Sequence, residues 1–438
     1  AALGGHVEAC DRCGHTRNAY NSCRDRHCPK CQTMVKEKWV NIRMAELVPG
    51  PYFHNVFTLP HELNSLIMVN KRIMLALLFT AVKETLQVFA RDSQWRLEGQ
   101  LGFISVLHTW NQKLMDHYHL HCIIPAGALS YDRKMWIAVS RKYLFKVESL
   151  AKEFQRRYLN KLKRAYRKNT LSFNGRAERY KDEKQFEKLL VALWDKKWIT
   201  YAKQPFGGPE QVLEYLGRYT HRVAITNNRI IAIDNGRVRF SYRDRSDDNR
   251  QKELTISAHE FIRRFLLHVL PRGFTKIRYY GFLAHANKKA CIELIRRLIG
   301  VTTAYAHKMV ESAQEMMLRL TGVDICCCPQ CGEGTLVYVR PIARSAYDDA
   351  SWHTLIICRI VRLVDVPATG NTEELRLVQV KMTANYWRQS ENAAAYSKIL
   401  GIDARRHPLR SKCMVLSGDL GSMSTAEKTH IIPIVLHV

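Results

Sequence analysis

Residues 116–124 read DHYHLHCII and decide the fold of this chain. If they are extended, successive side chains point to opposite faces, because the side-chain period of a β-strand is two. His117, His119 and His121 then share one face of the strand. Two imidazoles held side by side leave coordination positions open for a substrate oxygen, as a catalytic divalent ion requires. The pattern therefore predicts a metal-binding strand, with solvated histidines of an ordinary strand as the alternative.

The composition predicts a globular protein that binds nucleic acid. A chain of 438 residues has the length of two or three domains. Its 68 Lys and Arg against 40 Asp and Glu give a net charge of +28, so a polyanion is the expected partner. The longest apolar run, near residues 73–82, is about half as long as a spanning helix needs to be. We therefore expect nucleic acid as the partner, and we expect neither a membrane-spanning segment nor a secretory signal.

The segments around the histidine stretch alternate between strand and helix patterns. Residues 52–59 predict a strand and residues 64–91 a long helix, and strands follow at 101–110, 117–124 and 134–139. Further on, Asp-Asn-Gly at 234–236 predicts a hairpin, and Ser257 with Glu260 predicts the capped start of a helix running to residue 270. Helices are also expected from about residues 287 and 302. The predicted class is α+β, with a central antiparallel sheet flanked by helices, an N-terminal zinc-knuckle module and helical additions.

A basic helix is predicted over residues 149–168. Its apolar positions form one stripe, consisting of Phe154, Tyr158, Leu162 and Ala165. Four cations at spacings of four, three and four line another side, namely Arg157, Lys161, Arg164 and Lys168. Most charge runs are solvated helix surfaces, but the excess of bases here favours contacts with DNA phosphates.

Two Cys-x-x-Cys pairs near the start predict a structural zinc site. Cys10 with Cys13 and Cys28 with Cys31 offer four thiolates that can close tetrahedrally on Zn²⁺, with no open position for catalysis. The same loop also holds Cys23, His15 and His27, so the ligand set is open and a second metal is conceivable. Clustered cysteines of this kind indicate a reducing compartment. The module is also expected to touch DNA through its cations, namely Arg12, Arg17, Arg24, Arg26 and Lys30.

A weaker knuckle signal occurs near residue 328. Cys328 and Cys331 have the Cys-x-x-Cys spacing and follow two further cysteines, Cys326 and Cys327. Their partner pair is not evident from the sequence, although Cys358 or His353 could complete a site.

Tyr215 and Tyr219 are four residues apart on a predicted helix that starts near residue 210, so their phenols point to the same side. Such a pair often packs a helix as half-buried aromatics. A phenol has a pKa near 10 and becomes a useful nucleophile only against a phosphate whose charge a metal draws off. The histidine strand would supply that metal.

Taken together, these motifs resemble the HUH endonuclease transposases of rolling-circle insertion sequences, the two-tyrosine kind with an N-terminal zinc-binding domain, known as the IS91 family. The matching stretches are CDRCGHTRNAYNSCRDRHCPKCQ, HNVFTLPHEL, HYHLHCIIPAGALS, YLGRYTHRVAI and RYYGFLA, and they cover about residues 6–335. One departure is Tyr118, which stands beside the histidine pair where relatives have proline.

The resemblance implies an HUH nuclease-like sheet and a reaction. His119 and His121 would hold Mg²⁺ or Mn²⁺, and Tyr215 and Tyr219 would attack single-stranded DNA of transposon ends and target, leaving a 5′-phosphotyrosine and a free 3′-hydroxyl. His117 is the simplest candidate for a third ligand. The other candidates are His54, His61, Glu62 and His221.

The resemblance also implies a domain order. Residues 1–48 would form the zinc-binding module. The nuclease domain would have two parts, residues 49–148 with the metal-binding strand and residues 205–300 with the tyrosine helix and hairpin, separated by a basic helical insertion at residues 149–204. Residues 301–345 would form a helical segment with the second knuckle, and residues 346–438 an unassigned extension. The expected location is the bacterial cytoplasm, in association with the nucleoid. Two alternatives remain: a plasmid replication initiator or relaxase of the same superfamily, and a non-catalytic zinc-dependent DNA-binding protein.

Overall fold

The computed structural model describes residues 3–44, 46–140, 142–206, 211, 217, 224–301 and 311–344. Within them the strands are β1 (Gly5–Cys10), β2 (Thr16–Tyr20), β3 (Tyr52–Thr58), β4 (Gly99–Gln100), β5 (Phe103–Trp110), β6 (Asp116–Pro125), β7 (Gly127–Ser130), β8 (Trp136–Ala138), β9 (Thr200–Phe206), β10 (Ile230–Asp234), β11 (Arg237–Asp244), β12 (Arg250–Ser257), β13 (Ile277–Tyr280) and β14 (Leu336–Ile342). The helices are α1 (Pro29–Met44), α2 (Asn64–Val69), α3 (Lys71–Arg91), α4 (Val147–Arg167), α5 (Glu183–Asp195), α6 (Ala258–Leu267), α7 (Lys288–Ile299) and α8 (Ala313–Thr321).

The central sheet has five strands in the order β13-β5-β6-β3-β9, and every neighbouring pair is antiparallel. The predicted mixed α and β class with an antiparallel sheet is therefore confirmed. The histidine stretch forms β6 in the middle of this sheet, because its alternation of polar and apolar residues suits a strand with a different environment on each face.

The first face of the sheet carries the large apolar core. Tyr118, Leu120 and Cys122 of β6 point into it and are at most 1% exposed. Helices α3, α4 and α5 cover this face. The predicted apolar stripe of α4 is confirmed, since all four of its residues are buried. The histidines therefore lie on the second face of the sheet.

The second face carries a smaller apolar core. Ile123 of β6 packs there with Ile104 and Val106 of β5, and α7 contributes further buried residues. Trp39 and Val40 of α1 pack against this core. The N-terminal helix therefore lies on the same side of the sheet as the histidines.

The helix predicted over residues 64–91 is two helices in the structure. They are separated at Asn70, whose side chain donates to the Ser172 carbonyl (2.8 Å) and accepts from the Ser172 amide (2.7 Å). The second of them, α3, is long and apolar enough by composition to cross a membrane, a property that was not predicted from the sequence. Ten of its residues are buried inside the protein, among them Leu75 and Leu78, as expected of a core helix.

A separate three-stranded sheet packs against α6. The order is β10-β11-β12, and Phe240, Phe261 and Phe265 lie in its core. Asn235 and Gly236 have φ of 46° and 68°, as the predicted tight hairpin requires. Strand β12 was not predicted, because its alternating residues are only half-buried. Helix α6 ends at Leu267, three residues before the predicted end.

The two ends of the described chain meet in a third sheet. Strand β1 pairs with β2 on one side and with β14 on the other, both antiparallel. Cys10 is opposite Leu336 in this register. The sheet thus joins two segments that the sequence analysis assigned to separate domains.

Acid should destabilise the fold through His268, which is buried beside Leu114 and Thr109. Its Nε2–H donates to the Leu114 carbonyl (3.1 Å), and burial lowers its pKa to about 3. The unfolded chain takes up this proton below pH ~6.5, whereas the folded chain does not, so stability falls as the pH drops from ~6.5 towards 3. We expect the urea midpoint to decrease between pH 7 and pH 5, and to decrease less in H268Q. Equal slopes for the two proteins would contradict this assignment.

Candidate metal centre and cysteine clusters

Three histidines converge on the second face of the central sheet. The ligand nitrogens of His108, His119 and His121 all lie within 4.8 Å of one another. His108 is directly opposite His119 in the β5–β6 register, and His121 is two residues further along β6. The three rings are 4.5–5.4 Å apart between centroids. We call these residues the histidine cluster.

Neighbouring groups orient two rings of the histidine cluster. His119 Nδ1–H donates to the carbonyl of His117 (2.8 Å), which leaves Nε2 of His119 for a ligand. A hydrogen bond of 2.9 Å joins His121 Nδ1 to His54 Nε2, and the planes of these two rings are nearly parallel, at an angle of 4°. Hydrogen bonds to the second ring nitrogen are the usual means of fixing a metal-binding histidine.

The histidine cluster is buried. His108, His119 and His121 are 3%, 8% and 7% exposed. Burial lowers the pKa of His119 well below its usual value, and the nearby charges of other histidines and of Arg245 lower it further. A neutral imidazole is the form that binds a metal, so this ligand is ready at neutral pH without losing a proton.

The third member of the histidine cluster, His108, was not among the candidates from the sequence. His117 lies next to His119 but outside the cluster. Glu62 is in an ion pair with Lys196, and His61 is beside that pair. His221 lies outside the described residues. His108 carries no local signal, because only the β5–β6 register brings it to His119.

Tyr215 and Tyr219 lie outside the described residues. Gly217, which stands between them in the sequence, is helical and buried. A Cβ at Gly217 would lie 2.8 Å from Val40 and 3.1 Å from Lys36, so this glycine packs closely against α1.

Among the described residues, cysteines form two clusters, and neither is the expected set of Cys10, Cys13, Cys28 and Cys31. Cys10 and Cys13 meet Cys328 and Cys331, which we call the four-cysteine cluster. Cys28 and Cys31 meet Cys23 instead, which we call the three-cysteine cluster. The expected pairing of the first two knuckles is thus not the one in the structure, because β14 brings the distant knuckle to the end of β1. His27 belongs to neither cluster, and Cys358 and His353 lie outside the described residues.

The proposed phosphate-binding side of α4 is partly occupied by the protein itself. Arg157 and Lys161 both bind the carboxylate of Glu84, at 3.0 and 2.7 Å. Arg164 and Lys168 are exposed. The cations of the N-terminal module are also partly engaged, since Arg26 donates to the carbonyls of Leu270, Pro271 and Phe274, Arg12 pairs with Glu333, and Arg17 pairs with Glu8.

Two protein families match separate parts of the chain. A family described as "Transposase zinc-binding domain" matches residues 1–59, which include Cys10, Cys13 and the three-cysteine cluster. A family described as "Putative transposase" matches residues 102–290, which include the histidine cluster. The first match and the clustered cysteines support structural zinc in this part of the protein.

Two curated proteins are similar to this chain. A Sinorhizobium fredii protein named "Putative transposase y4qJ" is 45% identical over 343 residues, which are 78% of this chain and 86% of the relative. The "Transposase for insertion sequence element IS801" of Pseudomonas savastanoi pv. phaseolicola is 29% identical over 278 residues, which are 62% of this chain and 64% of the relative. No solved structure matches the chain.

Proposed function

This chain belongs to the IS91 family of transposases, and from that premise we propose that it cuts and rejoins single-stranded DNA at the histidine cluster through a phosphotyrosine intermediate. The observation that carries the proposal is the convergence of His108, His119 and His121 within 4.8 Å. Their position on the central antiparallel sheet supports an HUH nuclease-like fold. Family membership favours a transposase over the replication initiator or relaxase.

The donor set fits one divalent ion. Three imidazoles suit Mn²⁺ better than Mg²⁺, which prefers oxygen ligands and keeps its waters. An ion held there would draw charge from the scissile phosphate and orient it. His54 and the carbonyl of His117 hold the rings of His121 and His119 in position for that ion.

Tyr215 and Tyr219 are the proposed nucleophiles. The phenol oxygen attacks the phosphorus and gives up its proton, the bond from phosphorus to the 3′ oxygen breaks, and that oxygen takes up a proton. The products are a 5′-phosphotyrosine and a 3′-hydroxyl. A 3′-hydroxyl can reverse the step on the same or another strand, so rejoining consumes no nucleotide. Two tyrosines allow one DNA end to stay attached while the second cut is made.

The packing of Gly217 supports the pairing of tyrosines and histidines. Gly217 is two residues from each tyrosine and is buried against Val40 of α1. Val40 packs against the core on the second face of the sheet, where the histidine cluster also lies.

A groove at the edge of the central sheet supports a single-stranded substrate. Its cavity of about 600 Å³ is lined by aromatic and basic side chains, among them Trp95, Tyr143, Tyr201 and Lys146. Single-stranded DNA binds such surfaces by stacking bases on aromatic rings while cations follow the backbone. Tyr201 is opposite Val56, which is opposite His121, so two strand spacings, about 10 Å, separate the backbone of Tyr201 from that of His121.

Further cations extend the proposed DNA path. Arg245 is close enough to the histidine cluster to lower the pKa of both His117 and His119, so it is positioned to meet a phosphate there. Arg164 and Lys168 remain proposed phosphate contacts on α4. The three-cysteine cluster is proposed to hold structural zinc with a fourth ligand. The protein would act on DNA in the bacterial cytoplasm, at the nucleoid.

The test is covalent capture of DNA by the full chain. We expect a pool of single-stranded oligonucleotides labelled at the 3′ end to give an adduct that resists detergent in the presence of Mn²⁺. EDTA removes the metal ion and duplex DNA offers no single strand, so either should reduce the amount of adduct at least ~100-fold. A pool labelled at the 5′ end should release its label as a fragment with an extendable 3′-hydroxyl. Binding of DNA without any adduct would instead support the non-catalytic DNA-binding protein.

A further inference from the structure

We propose that Cys10, Cys13, Cys328 and Cys331 bind one zinc ion, which links β1 to β14. We call this site the zinc clasp. This site is distinct from the three-cysteine cluster, and half of its ligands lie far outside the zinc-binding domain matched at residues 1–59. Cys10 and Cys331 are 321 residues apart in the chain. The inference does not depend on the proposed cleavage chemistry.

The distances between the sulfur atoms fit a zinc tetrahedron. Cys10 Sγ lies 3.7 Å from Cys331 Sγ, and Cys13 Sγ lies 3.7 Å from Cys328 Sγ. A tetrahedron with Zn–S bonds of about 2.3 Å has edges of about 3.8 Å. A disulfide would need about 2.05 Å between sulfurs. The four thiols are therefore spaced for a shared metal and too far apart for bonds to one another.

The two halves of the four-cysteine cluster are built alike. Each is a Cys-x-x-Cys-Gly turn in which the glycine amide donates to the carbonyl of the first cysteine, from Gly14 at 3.1 Å and from Gly332 at 2.9 Å. These glycines have φ of 71° and 73°, a conformation that favours glycine. Two equivalent turns facing each other provide the paired knuckles of a closed zinc site.

Backbone amides also point at the sulfurs. The Gly334 amide donates to Cys331 Sγ (3.3 Å), and the Cys13 amide approaches Cys10 Sγ (3.5 Å). N–H donors of this kind stabilise thiolates. A Cβ on Gly334 would lie only 2.2 Å from Cys10 Sγ, so the second knuckle is packed directly onto the first.

With the zinc clasp, the stability of the N-terminal module depends on the segment near residue 330. Strands β1 and β14 pair just beyond the four-cysteine cluster, and Cys10, Cys328 and Leu336 form a core of only three buried residues. Such a small core supplies little burial energy, so metal binding would add substantially to the strand pairing that joins the two segments.

The experiment measures bound zinc and thiol reactivity in the full chain. We expect about two zinc ions per chain in the wild type and about one in C328S/C331S, since that pair supplies half of one tetrahedral site. The neighbouring pair C326S/C327S is the matched control and should keep both ions. In the wild type, the exposed thiols of Cys13 and Cys331 should resist alkylation until a chelator removes zinc, and they should then react at least ~10-fold faster.

Thiol mapping is done on the wild type and so does not depend on the folding of the variant. The zinc clasp is overturned if C328S/C331S retains all its zinc, or if Cys331 is alkylated at the same rate with and without the chelator. Either result would show that the chain holds its zinc without Cys328 and Cys331. Adduct formation with single-stranded DNA, measured in parallel, reports separately on the proposed cleavage.

Discussion

H108A should abolish formation of the DNA adduct, with a fall in rate on the order of 1000-fold or more. His108 is the proposed ligand from β5, and its removal would leave only the two histidines of β6 for the metal. Loss of partners that merely orient a ligand already costs about 10–100-fold in metal affinity, so loss of a ligand should cost more. The measurement is the initial rate of adduct formation with single-stranded DNA at a Mn²⁺ concentration that just saturates the wild type.

H117A is the matched control for this prediction. His117 lies on the same strand, but its side chain is outside the histidine cluster. His119 bonds only the main-chain carbonyl of His117, which alanine retains. We expect H117A to keep its rate within about 10-fold, because the metal ligands are untouched. An inactive H117A beside an active H108A would restore His117 as the third ligand and refute the role given to His108.

Replacing both tyrosines by phenylalanine should remove the adduct entirely. Y215F/Y219F lacks both proposed nucleophilic oxygens but keeps both rings, so packing should change little. Each single variant should still form an adduct, because the other phenol remains. The measurement is the amount of protein-linked label after denaturation, followed by mass spectrometry of the peptide that carries the nucleotide.

Y131F is the control for general effects of removing a phenol. Tyr131 is exposed between β7 and β8, and it should not affect the adduct. Mn²⁺ binding should be unchanged in Y215F/Y219F, since the tyrosines are not proposed ligands. A double variant that still forms a full amount of adduct would show that another residue attacks the phosphate.

The histidine pair could be predicted from the sequence because its signal is local. Alternation along one strand puts His119 and His121 on one face whatever the rest of the chain does. His108 could not be found in this way, since it joins them only through the register between two strands. Strand pairing is a property of the whole sheet, and several registers are compatible with the pattern of one strand.

The pairing of the cysteines and the helix break at Asn70 also depend on contacts between distant segments, which a local pattern does not show. Each Cys-x-x-Cys turn is readable from a few residues, but β14 decides which turns meet, and it lies more than 300 residues from β1. The break at Asn70 depends on hydrogen bonds to Ser172, about a hundred residues away. Tertiary contacts of this kind override a helical pattern that is continuous in the sequence.

The basic side of α4 was only half predictable. Its spacing places Arg157 and Lys161 on one side of the helix, as the structure has them. The sequence does not show that Glu84 of α3 lies within reach of both. Charge patterns therefore identify a polyanion as the partner of the protein more safely than they identify the residues that contact it.

The most direct measurement for the central claim is anomalous diffraction from crystals of the full chain soaked in Mn²⁺. The proposed function predicts one manganese peak within bonding distance of His108, His119 and His121, and its loss in crystals of H108A. A manganese peak elsewhere in the protein, with none between these three imidazoles, would contradict the metal centre and the cleavage mechanism built on it.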